Sequence, residues 1–237
     1  MTLKKIIVVR HHEGDLDDTA STHLAARGYQ IENWSPFEKP DSTTLPSLNN
    51  VAGTIVMGGE QNVTELDHLS YLHTEIDWIN CCIKADLAVI GICLGSQLLA
   101  HTLGADVAAH KERICEFGYE PVHPADNQNS WFSETLHLTQ AHFQGFTLPP
   151  DSTALAVGDN FPVQAFRHKH NVFGLQFHPE VHHDMFEQWL QSEWKDEFYA
   201  TPGARPAHLQ SQENQKYNAA QTAWFRSFLD KIFHSTG

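Results

Sequence analysis

The sequence predicts an α/β fold with a mostly parallel central sheet and helices on both of its faces. The first observation is that continuous apolar runs, typical of strands buried on both sides, alternate with segments of helical periodicity. The second is that 237 residues with 41% hydrophobic content are enough for one large domain with a substantial core. We therefore expect a single domain over residues 1–237, in which 184–237 form a helical C-terminal extension.

In the first half of the chain, strands and helices alternate regularly. The expected strands are 6–9, 29–34, 51–57 and 87–92, and the expected helices are 18–27, 66–84 and 96–103. The first helix stops at Gly28, a common C-terminal residue of helices. The helix over 66–84 has apolar residues at helical spacing, among them Leu72, Ile76 and Ile79. This half predicts the parallel part of the sheet.

The second half contains shorter strands and then helices. Strands are expected over 107–109, 117–122, 135–139, 154–157, 163–167 and 172–177. They suggest an extension of the sheet whose last strand returns beside the strand over 87–92. After His183 the pattern is helical, with a break at residues 201–203. We expect Trp189, Trp194 and Trp224 to pack this tail onto the body as core aromatic residues.

Composition and charge exclude several classes of function. The formal net charge of −14 argues against sequence-independent binding to nucleic acid or to anionic membranes. No run of eighteen apolar residues predicts a membrane span, and the apolar run near the N-terminus is too short for a signal peptide. The four cysteines lack the spacing of a disulfide framework. A reducing cytoplasm is the expected location.

Cys93 is the strongest candidate nucleophile. It follows an apolar strand, precedes a helical run, and has Gly91 and Gly95 two residues to either side. A side chain presented on such a tight strand-to-helix turn needs small neighbours, as in the nucleophile elbow of serine hydrolases. The helix N-terminus favours the reactive thiolate, and the N–H of Leu94 is placed to bind an oxyanion. The alternative is a buried structural thiol.

His178 and Glu180 are a candidate base and its orienting carboxylate. Residues two apart on an extended segment point to the same side, so the carboxylate can reach the imidazole and fix its tautomer. Pro179 between them stiffens the backbone. Alone, such a pair is more often a surface ion pair; beside an elbow cysteine, it predicts a Cys-His-Glu catalytic triad.

The pair Gly58-Gly59 ends the third strand, at the edge of the sheet where α/β proteins bind ligands. A glycine there allows a backbone N–H to approach a substrate closely and to act as a second oxyanion donor. An ordinary strand-terminating turn is the other interpretation.

Together these segments resemble a class I glutamine amidotransferase domain, and in particular the amidotransferase domain of GMP synthase and its stand-alone relatives. The main motifs are residues 91–97 (GICLGSQ) and 174–180 (GLQFHPE), with further similarity at 57–59, 116–122, 148–150 and 162–167. The similarity covers roughly residues 50–190, and paired motifs at this separation are specific. The resemblance implies the same fold.

The resemblance also implies roles for the site residues. Cys93 would attack the side-chain amide carbon of glutamine, and the backbones of Leu94 and Gly59 would hold the oxyanion. His178 would protonate the departing ammonia and then activate water to cleave the γ-glutamyl thioester. Glu180 would hold His178 in place.

Four residues are candidate substrate contacts: Gly58, Gln97, Phe143 and Gln144. Gln97 resembles a glutamine-contacting position of the family, although a solvated polar residue on the helix is an equal alternative. The sequence departs from the family at two positions. Glu60 stands where proline is common after the two glycines, and Gln144 where an acidic residue is common. Either change could alter the region around the α-amino group of the substrate.

The leading hypothesis is a glutaminase-type amidotransferase that acts on glutamine and needs no cofactor. A γ-glutamyl hydrolase for a small peptide or amine shares the same chemistry, and a non-catalytic partner module of this fold is the third reading. No Gly-rich nucleotide loop is present, so the ammonia acceptor would be a separate synthetase subunit. We expect no metal site in the cluster of His178, Glu180, His182 and His183, because the triad occupies the first two and the adjacent histidines diverge on any regular element. No role is predicted for His11 and His12, which are expected to lie in a loop.

Overall fold

A computed structural model describes residues 3–12, 17–126 and 130–233 of the chain. Its strands, in chain order, are β1 (Lys5–Val9), β2 (Gln30–Trp34), β3 (Val51–Val56), β4 (Ala88–Ile92), β5 (Val107–Ala109), β6 (Glu116–Pro124), β7 (Leu136–His142), β8 (Gln144–Phe146), β9 (Ser152–Val157), β10 (Ala165–His168) and β11 (Val172–Leu175). Nine of them form one mixed sheet in the order β2-β1-β3-β4-β11-β10-β9-β6-β7, and β5 pairs with β8.

The helices are α1 (Thr19–Ala26), α2 (Ser70–Lys84), α3 (Leu94–Thr102), α4 (His183–Trp189), α5 (Lys195–Tyr199) and α6 (Ala207–Ile232). They cover both faces of the sheet, and the alternation of side chains along β1 shows this directly. Ile6 belongs to the same buried cluster as Leu24 of α1. Its neighbour Ile7 belongs to the opposite cluster, with Ile79 of α2 and Leu98 of α3.

The sheet has a parallel half and an antiparallel half. Strands β2, β1, β3, β4 and β11 are parallel to their neighbours. The pairs from β11 through β10, β9 and β6 to β7 are antiparallel. The expectation that the last strand returns beside the cysteine's strand is confirmed, since Leu175 pairs with Ile92. Consequently the residues after β4 and those after β11 emerge at the same edge of the sheet.

The sequence predicted most elements but not all of their bounds. Strand β8 was missed, because three residues that follow a strand with only a one-residue interval give no separate periodic signal. Helix α2 begins at Ser70, four residues later than predicted. Arg27, not Gly28, is the C-cap of α1, and Gly28 follows it with φ of 89°. None of the helices in the described ranges is long and apolar enough to cross a membrane.

The tail packs onto the body through a buried polar stripe of α6 as well as through aromatic residues. The stripe consists of four amide side chains: Gln210, Asn214, Asn218 and Gln221. Trp224 packs against Phe132 and Phe177 as expected for a core residue. Trp189 and Trp194 also pack among aromatic rings, but they line a cavity as well.

Candidate active site

Cys93 lies on a strained turn between β4 and α3. Its backbone angles are φ 48° and ψ −109°, a left-handed conformation that side-chain-bearing residues rarely adopt. The N–H of Cys93 donates to the carbonyl of Leu175 at 2.8 Å, which ties the turn to β11. As the first residue of α3, Leu94 has a backbone N–H without a partner inside the helix. The turn therefore presents a thiol beside a free helix N-terminus.

Gly91 and Gly95 are required by close backbone packing around this turn. A Cβ at Gly91 would collide with the backbone of Gly95, and a Cβ at Gly95 would collide with the carbonyl of Val56 on β3. The N–H of Gly95 donates to the carbonyl of Met57 at 3.2 Å. The two glycines are thus needed because the strand and the helix pack closely at this turn, as the sequence predicted.

His178 and Glu180 follow β11 and are buried beside Cys93. The Nδ1 of His178 lies 2.8 Å from the Oε1 of Glu180. Because Nδ1 faces this carboxylate, Nε2 is the ring nitrogen that remains for the sulfur of Cys93, which influences the pKa of the imidazole. The three residues are only 5–6% exposed. A surface ion pair is therefore excluded for His178 and Glu180.

The pKa of His178 is strongly perturbed by these neighbours. Burial by itself lowers this pKa, but the carboxylate of Glu180 and the sulfur of Cys93 outweigh burial and raise it to about 10. The imidazole is consequently protonated at neutral pH, and it faces the sulfur as a proton donor.

Gly58 and Gly59 face the same point from the end of β3. A Cβ on Gly58 would lie 2.6 Å from the Cε1 of His178 and 3.4 Å from the Cβ of Cys93. Only a residue without a side chain fits here, so the backbone itself approaches the thiol.

These groups open onto a cavity of about 700 Å³, a size typical of small-molecule sites. The structure brings all nine predicted site residues to this cavity: Gly58, Gly59, Cys93, Leu94, Gln97, Phe143, Gln144, His178 and Glu180. Residues from β-strand ends, from the loop after β7 and from the tail helices contribute to its wall. No predicted site residue lies elsewhere.

Gln97 is not the solvated residue that one reading of the sequence allowed. It is 4% exposed, and its Nε2 donates to the backbone carbonyl of Gln144 at 3.2 Å. Its amide also contacts Gln176, whose Nε2 lies 3.8 Å from the sulfur of Cys93. Gln97 thus links the backbone at Gln144 to Gln176, whose side-chain amide contacts the thiol of Cys93.

Phe143 and Gln144 both line the cavity but make different contacts. Phe143 stacks on Phe198 of α5 with ring centroids 4.2 Å apart. Gln144 donates from its amide nitrogen to Thr64 at 3.2 Å. Within the described ranges its buried Oε1 has no hydrogen-bond partner.

Sequence reasoning missed several residues of the site. The tail supplies an aromatic wall formed by Trp189, Trp194 and Phe198. The ring of Trp189 lies edge-on to His178 with centroids 5.1 Å apart. His11 lies in the loop after β1, as expected, but it is buried behind the Gly58-Gly59 turn. Only long-range packing places these groups, and no local pattern indicates them.

The site has little provision for a metal ion. Over residues 3–12, 17–126 and 130–233, no group of three or more histidine, cysteine, aspartate or glutamate side chains is arranged to hold one. His182 instead caps helix α4.

Comparison with known proteins agrees with this architecture. The family model for glutamine amidotransferase class-I matches residues 15–195. A glutamine amidotransferase-like protein of Acanthamoeba polyphaga mimivirus is 30% identical over 143 residues, which are 60% of this chain and 62% of that protein. A subunit of the glutamine-hydrolyzing GMP synthase of Thermoplasma volcanium is 31% identical over 152 residues, 62% of this chain and 71% of that one.

A solved structure confirms the fold along the whole chain. The crystal structure of a glutamine amidotransferase from Thermotoga maritima superposes with a TM-score of 0.86 at 24% identity, covering 99% of this chain and 100% of that one. With the family match over residues 15–195, the conclusion is that this chain belongs to the class I glutamine amidotransferase family.

Proposed function

We propose that the protein hydrolyses the side-chain amide of glutamine to glutamate and ammonia through a γ-glutamyl thioester on Cys93. The observation that carries this proposal is the arrangement of three buried groups around one cavity. A thiol on a strained turn faces an imidazole, and the imidazole is held by a carboxylate. This is the arrangement of a nucleophile, a base and an orienting group.

In the first half-reaction, the sulfur of Cys93 attacks the amide carbon of glutamine. The N–H groups of Leu94 and Gly59 stabilise the oxyanion that forms. The protonated His178 then gives its proton to the departing nitrogen as the C–N bond breaks, and ammonia leaves. Its raised pKa supports this role, because the imidazole carries the proton before the reaction begins.

In the second half-reaction, the neutral His178 takes a proton from water, and the hydroxide oxygen attacks the thioester carbon. The C–S bond breaks, glutamate leaves, and the thiolate of Cys93 and the imidazolium of His178 are restored. The electrostatics favour this change of role. The sulfur of Cys93 is one of the groups that raise the pKa of His178, and in a thioester it has no charge.

The remaining predicted contacts are assigned to substrate binding. Gly58 leaves space beside the thiol, and Phe143 contributes an apolar surface. Gln144 lines the cavity, and we assign its side chain to the α-amino end of glutamine. Gln97 positions this loop through its bond to the carbonyl of Gln144.

A γ-glutamyl hydrolase is the second candidate, and the aromatic wall favours it. Trp189 packs against His178, the group that protonates the leaving amine. An aromatic ring therefore borders the group that would protonate the leaving amine, and about 700 Å³ leaves space beyond a glutamine molecule. A γ-glutamyl peptide or amine would use that space.

A separate synthetase subunit is the partner that we propose for an ammonia-producing enzyme. The Thermoplasma volcanium relative is named as one subunit of a GMP synthase, and this chain covers 71% of it. No cofactor is needed for the chemistry above. We place the protein in the cytoplasm, where its free thiols would stay reduced.

The experiment that tests the proposal measures glutamate release from glutamine by the purified protein. Cys93→Ala is expected to lower the rate by at least about 10⁴-fold, because losing a nucleophile removes the covalent pathway. The matched control is Cys81→Ala, which removes a half-buried cysteine of α2 outside the cavity and should leave the rate unchanged.

The outcomes separate the candidate functions. Release of glutamate from glutamine that disappears in Cys93→Ala supports the glutaminase. Release only from γ-glutamyl peptides or amines would replace it by the hydrolase. No release from either class, with or without a candidate synthetase, would reject both and leave a non-catalytic partner module.

A further inference from the structure

His11 is buried directly behind the Gly58-Gly59 turn. It follows β1, and its Nδ1 lies 3.1 Å from the carbonyl oxygen of Gly58. Its Nε2 lies 2.7 Å from the Oε2 of Glu75, a residue of α2. Both side chains are 0% exposed. The contact is close enough that a Cβ on Gly59 would lie 2.7 Å from the Cβ of His11.

The surroundings of the ring fix its protonation state. A carbonyl oxygen and a carboxylate oxygen are both acceptors, so a ring with an N–H on each nitrogen matches both partners of His11. The side chain is therefore an imidazolium paired with the carboxylate of Glu75. Burial lowers the pKa of His11, but the charge and hydrogen bond of Glu75 outweigh burial and raise it, in agreement with this assignment.

The hydrogen bond to Gly58 fixes the direction of the next N–H group. In a planar trans peptide the C=O and the N–H point in opposite directions. Because the carbonyl of Gly58 points at His11, the N–H of Gly59 points away from it. The opposite side of the turn is the side on which Gly58 approaches Cys93 and His178.

We propose that His11, held by Glu75, is a positioning residue that sets the Gly58–Gly59 peptide in the orientation needed to bind the oxyanion. The imidazolium holds the carbonyl of Gly58 on the buried side, so that the N–H of Gly59 is directed to the side of the thiol. It also places a fixed positive charge behind the forming anion. This inference rests on the proposed function, since it gives Gly59 its role in thioester formation.

The test compares two amide replacements at one position. His11→Asn places its amide nitrogen near the former Nδ1 and keeps the donor to Gly58. His11→Gln places it near the former Nε2, keeps the contact with Glu75 and loses the donor to Gly58. Removing one oxyanion donor lowers kcat by roughly 10²–10³-fold. We expect a loss of this size, with little change in KM, for His11→Gln and a clearly smaller loss for His11→Asn.

A second readout separates positioning from general disorder of the site. The rate at which iodoacetamide alkylates Cys93 depends on the thiolate and its access, not on the Gly58–Gly59 peptide. It should be the same in wild type and both variants. Equal kcat values for the two variants, or alkylation rates that fall together with kcat, would overturn the inference.

A milder variant covers the case in which His11→Gln does not fold. Glu75→Gln keeps the shape of the partner but removes its charge, which loosens the imidazole. We expect kcat to fall between about tenfold and 100-fold with alkylation unchanged, and an unchanged kcat would contradict the proposal. A wild-type protein that hydrolyses no γ-glutamyl substrate rejects the proposed function itself. An active wild type whose variants behave alike rejects this inference alone.

Discussion

The two segments that meet at the active site are held in place by different kinds of interaction. The turn carrying Cys93 is fixed by backbone packing, in which Gly95 touches the carbonyl of Val56. The segment carrying His178 and Glu180 is held by hydrogen bonds. The N–H of His178 donates to the carbonyl of Thr139 at 2.7 Å. The carbonyl of Glu180 accepts from the N–H of Thr19 at 3.0 Å, and side chains of α6 add further bonds. Gln221 donates to the carbonyl of His178 at 3.3 Å and to that of Val181 at 3.0 Å.

This difference predicts two kinds of sensitivity to substitution. Where backbone packs closely on backbone, there is no space for even one added carbon atom. A substitution there should therefore displace the whole turn and lower stability strongly. A hydrogen-bonded segment loses one contact at a time, and each loss has a limited effect on stability. Substitutions near Cys93 should therefore cause large losses of stability. Substitutions near His178 should cause small losses, and only those at Cys93 and Glu180, which contact its imidazole, should cause large losses of activity.

The largest effect in the hydrogen-bonded segment is expected for Glu180→Gln. The amide keeps the size of the side chain but loses the negative charge that orients His178 and raises its pKa. Loss of the equivalent carboxylate in a serine protease triad lowers kcat by about 10⁴-fold, and we expect a decrease of roughly 10²–10⁴-fold here. Steady-state rates of glutamate release measure it, with Glu134→Gln, at an exposed residue that does not line the cavity, as the matched control.

The same variant has a defined pH signature. The alkaline fall in kcat/KM should report loss of the proton from His178, whose pKa is raised to about 10. Removing the carboxylate of Glu180 removes a group that favours the protonated form, so the alkaline fall should move to lower pH. A pH profile from 6 to 11 that is identical in both proteins would contradict this assignment.

An intermediate effect, on stability, should come from Gly95→Ala in the packed segment. The added Cβ collides with the carbonyl of Val56, so the strand or the helix must move. We expect unfolding free energy to fall by about 3 kcal/mol. Gly28→Ala is the control: nothing lies within 4 Å of its Cβ position, and only its φ of 89° disfavours alanine. It should cost about 1–2 kcal/mol.

Denaturant unfolding of the two glycine variants measures the difference. Equal losses would show that the turn at Cys93 relaxes as easily as a surface turn. The distinction between the packed and the hydrogen-bonded segment would then be wrong.

The smallest effect is expected for Gln221→Leu in α6. The leucine leaves the carbonyl of His178 without this donor and the buried N–H of Thr139 without its acceptor at 2.7 Å, while Val181 keeps its bond from Asn218 at 3.0 Å. We expect a loss of about 1–3 kcal/mol in unfolding free energy and a decrease in kcat of less than about tenfold. Gln215→Leu, on the exposed side of the same helix, should change neither quantity. A loss of activity as large as that of Glu180→Gln would contradict the expectation that losing one hydrogen bond in this segment has a limited effect.

The sequence by itself determined the local parts of this protein. The apolar strands, the turn at Cys93 and the i, i+2 pair of His178 and Glu180 are each encoded within a few consecutive residues. Their conformations follow from period, glycine spacing and chain direction. For this reason the parallel half of the sheet and the candidate triad could be predicted from sequence patterns, whereas Gln97, Phe143 and Gln144 were indicated by the family resemblance.

The tertiary structure decided how distant residues meet. The amide stripe of α6, which includes Asn218 and Gln221, is polar and would normally face solvent, yet it is buried against the loop after β11. The contact of His11 with Glu75 joins residues 64 positions apart. The aromatic wall needs the tail to fold back over the sheet edge. Such contacts depend on the packing of whole elements, and no short segment of sequence contains the information that specifies them.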